Sequence, residues 1–220
     1  MTSAALSQDL NIHRIHIARA TCMRRILKTM YPSIRSPLIY RFDYEFLFAV
    51  ILSAQTTDVQ VNKVTPGLFA KYSTLKSIAR ETDAQFAKSI ASINHYKTKA
   101  RHIVQTASLL LTEWNSRVPT SLADLMRLPG VGRKSANVVM SELWGKPEGI
   151  AVDTHVMRLA QKYGLSRHSD PLKIEQDLMR IIPKREWATF PLRLIQYGRD
   201  HCPARCKNCP TCPLWQCVAA

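Results

Sequence analysis

Apolar residues along this chain recur at helical spacing, and only short stretches show the period-two alternation of a half-buried strand. Turn signals cut the pattern into helical lengths at Tyr31-Pro32, Ser36-Pro37, Thr65-Pro66-Gly67, Val118-Pro119, Leu128-Pro129-Gly130, Gly145-Lys146-Pro147 and Ile182-Pro183. An all-α protein is predicted. Ser121 is placed to cap a helix over Leu122–Leu128, with Asp124 in its first turn. Ile12, Ile15, Ile26 and Leu27 predict an amphipathic first helix. The longest uninterrupted apolar run, Phe46 to Leu52, is seven residues. A membrane-spanning helix needs roughly 20, so a soluble protein is expected. No repeat of fixed period and no low-complexity tract interrupts the pattern. The 220 residues suffice for one large domain or two smaller ones sharing a core.

Charge changes the picture. Lys and Arg number 31 against 16 Asp and Glu, a net charge of +15. Such an excess points to a polyanionic partner, although a solvated basic surface would carry it too. Its spread along the whole chain favours nucleic acid over a membrane. Five of the six cysteines fall between Cys202 and Cys217, whereas a disulfide scaffold would scatter them to close long loops. This packing suits a metal or cluster in a reducing compartment. Cys22 stands alone and reads as a buried small apolar residue. The tail after Gly198 is too broken for a helical core, so something besides hydrophobic packing must order it. There is no apolar signal-peptide core. The Arg-bearing, acid-poor residues 1–31 leave an organellar targeting signal open beside the amphipathic helix.

The most informative stretch is Leu128-Pro129-Gly130-Val131-Gly132-Arg133-Lys134-Ser135-Ala136. Two glycines around a small apolar residue allow a tight hairpin whose N–H groups converge, and a helix starting at Arg133 or Lys134 adds the positive end of its dipole. Gly130, Val131, Gly132 and Arg133 could therefore hold a DNA phosphate without reading a base. Lys134 has two readings. It is a second phosphate contact, or it is a nucleophile that attacks the anomeric carbon of a deoxynucleotide, expels the base and leaves a Schiff base open to β-elimination. Attack needs the neutral amine, which Arg133 and a helix N-terminus would favour. Asp153, in Gly149-Ile150-Ala151-Val152-Asp153-Thr154-His155-Val156, either caps the next helix or stabilises positive charge on the sugar as the base leaves.

The L-P-G-V-G pattern resembles the hairpin of helix-hairpin-helix DNA-binding proteins. L-P-G-V-G-R-K-S-A-N-V-V followed by A-V-D-T-H-V resembles the active-site signature of the endonuclease III family. The resemblance runs from about Thr21 onward. It implies that Lys134 is the nucleophile and Asp153 the catalytic carboxylate, with His155 structural or phosphate-facing. Ile51-Leu52-Ser53-Ala54-Gln55-Thr56-Thr57-Asp58 is similar to the family segment whose glutamine fills the space a flipped base vacates. Gln55 takes that place, and without the family it would read as a polar helix-end residue. Ile93-Asn94-His95-Tyr96-Lys97-Thr98-Lys99-Ala100 aligns with the loop bearing an apolar wedge. The family often has leucine where this chain has His95, which is either a stacking wedge or an exposed loop histidine.

Relatives that remove undamaged adenine lack the lysine, and those that excise oxidised guanine generally lack the cysteines. The implied substrates are therefore oxidised or ring-saturated pyrimidines such as thymine glycol, and abasic sites. Cys202, Cys209 and Cys212 match the first three positions of the family pattern C-x6-C-x2-C-x5-C. Cys217 follows after four residues instead of five, and Cys206 is extra. From spacing alone zinc and an iron–sulfur cluster are equally served. The resemblance implies a [4Fe–4S] cluster on Cys202, Cys209, Cys212 and Cys217.

The implied architecture is a two-lobed, all-α helix-hairpin-helix DNA glycosylase fold. Residues 36–146 would form a six-helix barrel domain, and residues 1–35 with 147–220 an iron–sulfur domain carrying the cluster loop 202–217. A DNA cleft would lie between them, with Lys134 and Asp153 facing each other. The implied function is base-excision repair by a bifunctional DNA N-glycosylase and AP lyase. It would act as a monomer on damaged double-stranded DNA in the bacterial cytoplasm, without a membrane. Two other classes remain in view: a non-catalytic DNA-binding module built on the same hairpin, and a zinc-stabilised scaffold.

Overall fold

The computed structural model describes residues 3–205 and 212–219, and no strand occurs among them. The chain divides into two compact units, one continuous (Ser36–Glu148) and one built from both ends of the sequence (Met1–Arg35 with Gly149–Ala220). Helix α1 (Ser3–Met30) opens the discontinuous unit. The continuous unit holds α2 (Asp43–Ser53), α3 (Asp58–Lys71), α4 (Leu75–Ala79), α5 (Asp83–Ser89), α6 (Tyr96–Glu113), α7 (Leu122–Met126) and α8 (Arg133–Trp144). The chain then returns with α9 (Thr154–Lys162), α10 (Pro171–Ile181), a 3-10 turn (Lys184–Glu186), α11 (Phe190–Asp200) and α12 (Gln216–Ala219). No described helix is long and apolar enough to cross a membrane.

Helix starts follow capping chemistry. Thr57, Thr74, Thr82, Ser121, Asp153 and Asp170 each accept a backbone N–H from the first turn that follows, a contribution of about 1 kcal/mol apiece. Ser121 is the cap its position predicts. Helix α7 stops at Met126, short of Leu128, because the N–H groups of Arg127 and Leu128 turn to the carbonyls of Asp124 and Leu125, three residues back, on the approach to Pro129. The Thr65-Pro66-Gly67 signal does not end a helix: α3 runs through Pro66. An interior proline costs about 3 kcal/mol. Burial of Val61, Leu68 and Phe69 on either side of it offsets that cost.

The apolar run Phe46 to Leu52 forms most of α2, and every one of its side chains is buried. A helix apolar all round belongs in a core, and α2 packs against α3, α6 and α8. In the other unit, Met23 and Leu27 of α1 join Leu159, Leu178, Phe190, Leu194 and Tyr197 in one core. Of the positions that mark α1 as amphipathic, Leu27 is fully buried, Ile26 half-buried and Ile15 exposed, while the side chain of Ile12 lies outside the described residues. The Arg24 guanidinium forks onto both oxygens of Glu186, with Nε 2.8 Å from Oε2. That hydrogen-bonded fork holds the Glu186 carboxyl below its ordinary range.

Candidate active site

The hairpin between α7 and α8 is shaped by its two glycines and the valine between them. Gly130 has φ +81°, and a Cβ there would lie 2.7 Å from Nδ1 of His102. No other residue type satisfies both the backbone and the neighbour. Val131 is buried in the core at 6% exposure, and its N–H donates to the Leu128 carbonyl (3.1 Å). Gly132 is the N-cap of α8 and has no side chain to accept the first N–H groups. A Cβ on Gly132 would meet nothing within 4 Å. Arg133 is half-buried, and Lys134 is exposed in the first turn of α8. The arrangement offers backbone donors, a helix dipole and an amine within one turn.

Asp153, in the other unit, caps α9 through a 2.8 Å hydrogen bond from the Val156 N–H to its Oδ1. Its Oδ2 has no hydrogen-bond partner among the described residues. The capping role is thus real, and it leaves half the carboxylate available. His155 is half-buried, with an Nδ1 that meets no hydrogen-bond partner among the described residues.

The structure brings Gln55 and His95 together. Both are exposed and left-handed, with φ of 54° and 57°. His95 Nε2 lies 3.1 Å from the Gln55 side-chain oxygen. The Asn94 amide donates to the Gln55 carbonyl. Just below, Lys99 donates to the carbonyls of Leu52 (2.7 Å) and Ala54 and to Thr56 Oγ1 (3.1 Å).

Cys202, Cys212 and Cys217 are all buried in the core of the discontinuous unit, while Cys206 and Cys209 lie outside the described residues. Burial pushes the Cys202 thiol up, but hydrogen bonds from Lys162 (3.3 Å), Arg158 (3.7 Å) and Tyr163 more than offset this and leave it below its ordinary value. Cys212 donates to the His201 carbonyl at 3.3 Å. The sequence expectation for Cys22 is corrected. It is neither alone nor fully buried, but half-buried and disulfide-bonded to Cys217 with a Cα–Cα distance of 5.6 Å. Packing of α12 against α1 brings the two together across 195 residues of sequence. In this state Cys217 is not a thiolate, a departure from the ligand role the resemblance implies. No group of three or more metal-ligating side chains is assembled among the described residues.

Residues 48–184 match the model of the HhH-GPD superfamily of base excision DNA repair proteins. The chain is 41% identical over 196 residues to endonuclease III of Synechocystis, spanning 89% of this chain and 90% of the relative. It belongs to the endonuclease III family. A non-covalent endonuclease III–DNA complex aligns with a TM-score of 0.83 at 43% identity, covering 90% of this chain and 94% of that one. A trapped endonuclease III–DNA covalent intermediate with an estranged adenine aligns with a TM-score of 0.83 at 44% identity, over 89% and 92%. As an endonuclease III family member, the chain is a DNA repair enzyme of the glycosylase/lyase class with the helix-hairpin-helix fold.

Three side chains near the endonuclease III signature segments escape a reading of sequence alone: Asn94, Lys99 and His102. Lys99 did leave a signal. It falls on the apolar stripe of α6 with Ile103, Ala107 and Leu110, and within the first turns, where the helix dipole disfavours a cation. The fit of His102 against Gly130 joins α6 to a hairpin 28 residues away, and no local pattern records it.

Proposed function

We propose that this endonuclease III family member acts on duplex DNA, removes oxidised or ring-saturated pyrimidines such as thymine glycol, and cleaves 3′ to the abasic site by β-elimination. The observation that carries this reading is Lys134, an exposed amine in the first turn of α8, directly behind the Gly130-Val131-Gly132 hairpin. The hairpin N–H groups would hold a phosphate and fix the register of the sugar. Gln55 would occupy the space left by the flipped nucleotide, and His95 would insert as a wedge beside the estranged base. The neutral Lys134 amine attacks C1′ and forms an N–C1′ bond. The glycosidic C–N bond breaks, and the base leaves with its electron pair and takes up a proton. Ring opening to the C1′=N Schiff base weakens the C2′–H bond. Loss of that proton expels the 3′ phosphate. Asp153 stabilises the positive charge on the sugar as the base departs. A covalent intermediate trapped between DNA and a relative at 44% identity supports a covalent route.

A duplex carrying one thymine glycol tests the whole reading. Incubation should release the base and nick the strand 3′ to the lesion. Binding without release or nicking would instead favour the non-catalytic hairpin module.

His95 carries its own test. If it acts as the wedge, His95→Ala should lower excision from duplexes by roughly tenfold, a typical loss for misplaced substrate. A single-stranded abasic oligonucleotide should lose much less. Equal losses on both substrates, measured by gel cleavage assays, would remove His95 from that role.

The cysteines fit a [4Fe–4S] cluster in their chemistry: Cys202, Cys212 and Cys217 share one core, and Lys162 and Arg158 would balance the charge of a thiolate-ligated group. Cys202, Cys209, Cys212 and Cys217 would hold it in the state in which the Cys22–Cys217 disulfide is reduced to two thiols. When bound, it would tie the C-terminal segment together and add no step to the base chemistry. Cys206→Ser should keep iron and brown colour, while Cys217→Ser should lose both. Cys22→Ser removes the same disulfide as Cys217→Ser but none of the four ligands, so it should keep its iron. Iron loss in Cys22→Ser equal to that in Cys217→Ser would sink the assignment, as would bound zinc in place of iron.

A further inference from the structure

Lys99 is a buried cation that the chemistry above does not use. It is 5% exposed and forms no ion pair among the described residues. Burial alone lowers its pKa to about 8. A fold that needed only packing here would be better served by methionine, because an ammonium taken out of water without a carboxylate is destabilising. Its surroundings explain its presence. Helix α2 ends on Ser53, and its last carbonyls have no helical partners. The next turn is Ala54-Gln55-Thr56, in which Gln55 adopts a left-handed backbone that a non-glycine residue adopts only when its surroundings impose it. The Lys99 ammonium donates to the Leu52 carbonyl, the Ala54 carbonyl and Thr56 Oγ1. It therefore grips the backbone on the helix side of Gln55 and the side chain immediately after it. The negative end of the α2 dipole favours a cation at this point.

We propose that Lys99 is the positioning residue for Gln55. It holds the turn after α2 rigid, so that the Gln55 side chain enters the DNA stack with its direction already set. Asn94 and His95 complete the clamp from the turn that precedes α6, through the carbonyl and amide oxygen of Gln55. Rigidity in the free protein means that less ordering has to accompany base flipping. The proposal rests on reading Gln55 as the residue that fills the vacated space.

The experiment is a double-mutant cycle between Lys99→Met and Gln55→Ala, read by single-turnover cleavage of an abasic duplex and by fluorescence of 2-aminopurine opposite the abasic site. Lys99→Met alone should slow duplex cleavage roughly ten- to a hundredfold, the scale of a displacement near 1 Å. The loss on a single-stranded abasic oligonucleotide should be much smaller. Lys99→Arg, which keeps the cation, should recover part of the loss. In the Gln55→Ala background, Lys99→Met should add little. Independent, multiplicative losses on the duplex would overturn the proposal, as would equal losses on duplex and single strand. Gln55→Ala without any effect on the duplex would instead sink the reading of Gln55 itself, whatever Lys99 does. If Lys99→Met yields no folded protein, Thr56→Val removes one of the three acceptors and takes its place in the cycle. It should show a smaller loss confined to the duplex, and no loss would overturn the proposal.

Discussion

Lys134→Gln is expected to abolish the covalent complex that borohydride traps between this protein and an abasic duplex. The Schiff base requires a primary amine, and glutamine keeps the length and hydrogen bonding of lysine without one. Strand cleavage should fall on the order of a thousandfold or more, as when a covalent nucleophile is removed. Most of the affinity for abasic DNA should remain, because the hairpin N–H groups and the α8 dipole are untouched. Lys134 is exposed in the structure, so the change should leave the fold intact. A Lys134→Gln protein that still traps would move the nucleophile to another amine. One that binds less tightly but cleaves each bound duplex at the normal rate would make Lys134 a phosphate contact.

The second large effect is expected at Asp153, where two roles can be separated. Asp153 caps α9, and asparagine caps a helix about as well as aspartate. Asp153→Asn should therefore keep the melting temperature close to that of the wild type. Base excision should nevertheless fall by about a hundredfold or more, the scale on which a lost charge-stabilising group is felt. Cleavage of preformed abasic sites should suffer less, because no base has to leave. Asp153→Ala removes the cap as well and should lose an additional ~1 kcal/mol of stability in denaturant unfolding. If Asp153→Asn excises normally while Asp153→Ala merely melts earlier, capping is the whole of its role.

Features encoded within a few residues were legible in the sequence. The glycine–valine–glycine corner and the Ser121 cap both declare themselves through local spacing. Lys134 could be singled out because its neighbours define the helix start behind which it stands. Pro66 misled because the penalty for an interior proline is local, whereas the burial of Leu68 and Phe69 that outweighs it depends on α2 and the rest of the core. The Cys22–Cys217 pair, the contact of Gln55 with His95 and the grip of Lys99 on α2 join segments between 40 and 195 residues apart. No periodicity along the chain records such meetings. His95 and Lys99 look ordinary until the end of α2 is placed beside them.

The division of the chain also sets an order of assembly during synthesis. Everything the Ser36–Glu148 unit needs for its interior has left the ribosome once Glu148 emerges. By then α1 has been made for more than a hundred residues, yet its buried face still has no core to join. Arg24 must wait for Glu186, which lies 162 residues downstream, and Cys22 for the arrival of Cys217. Helix α1 is made before the continuous unit and is among the last segments to be secured, so in a nascent chain its apolar stripe stays open to chaperones and to premature association.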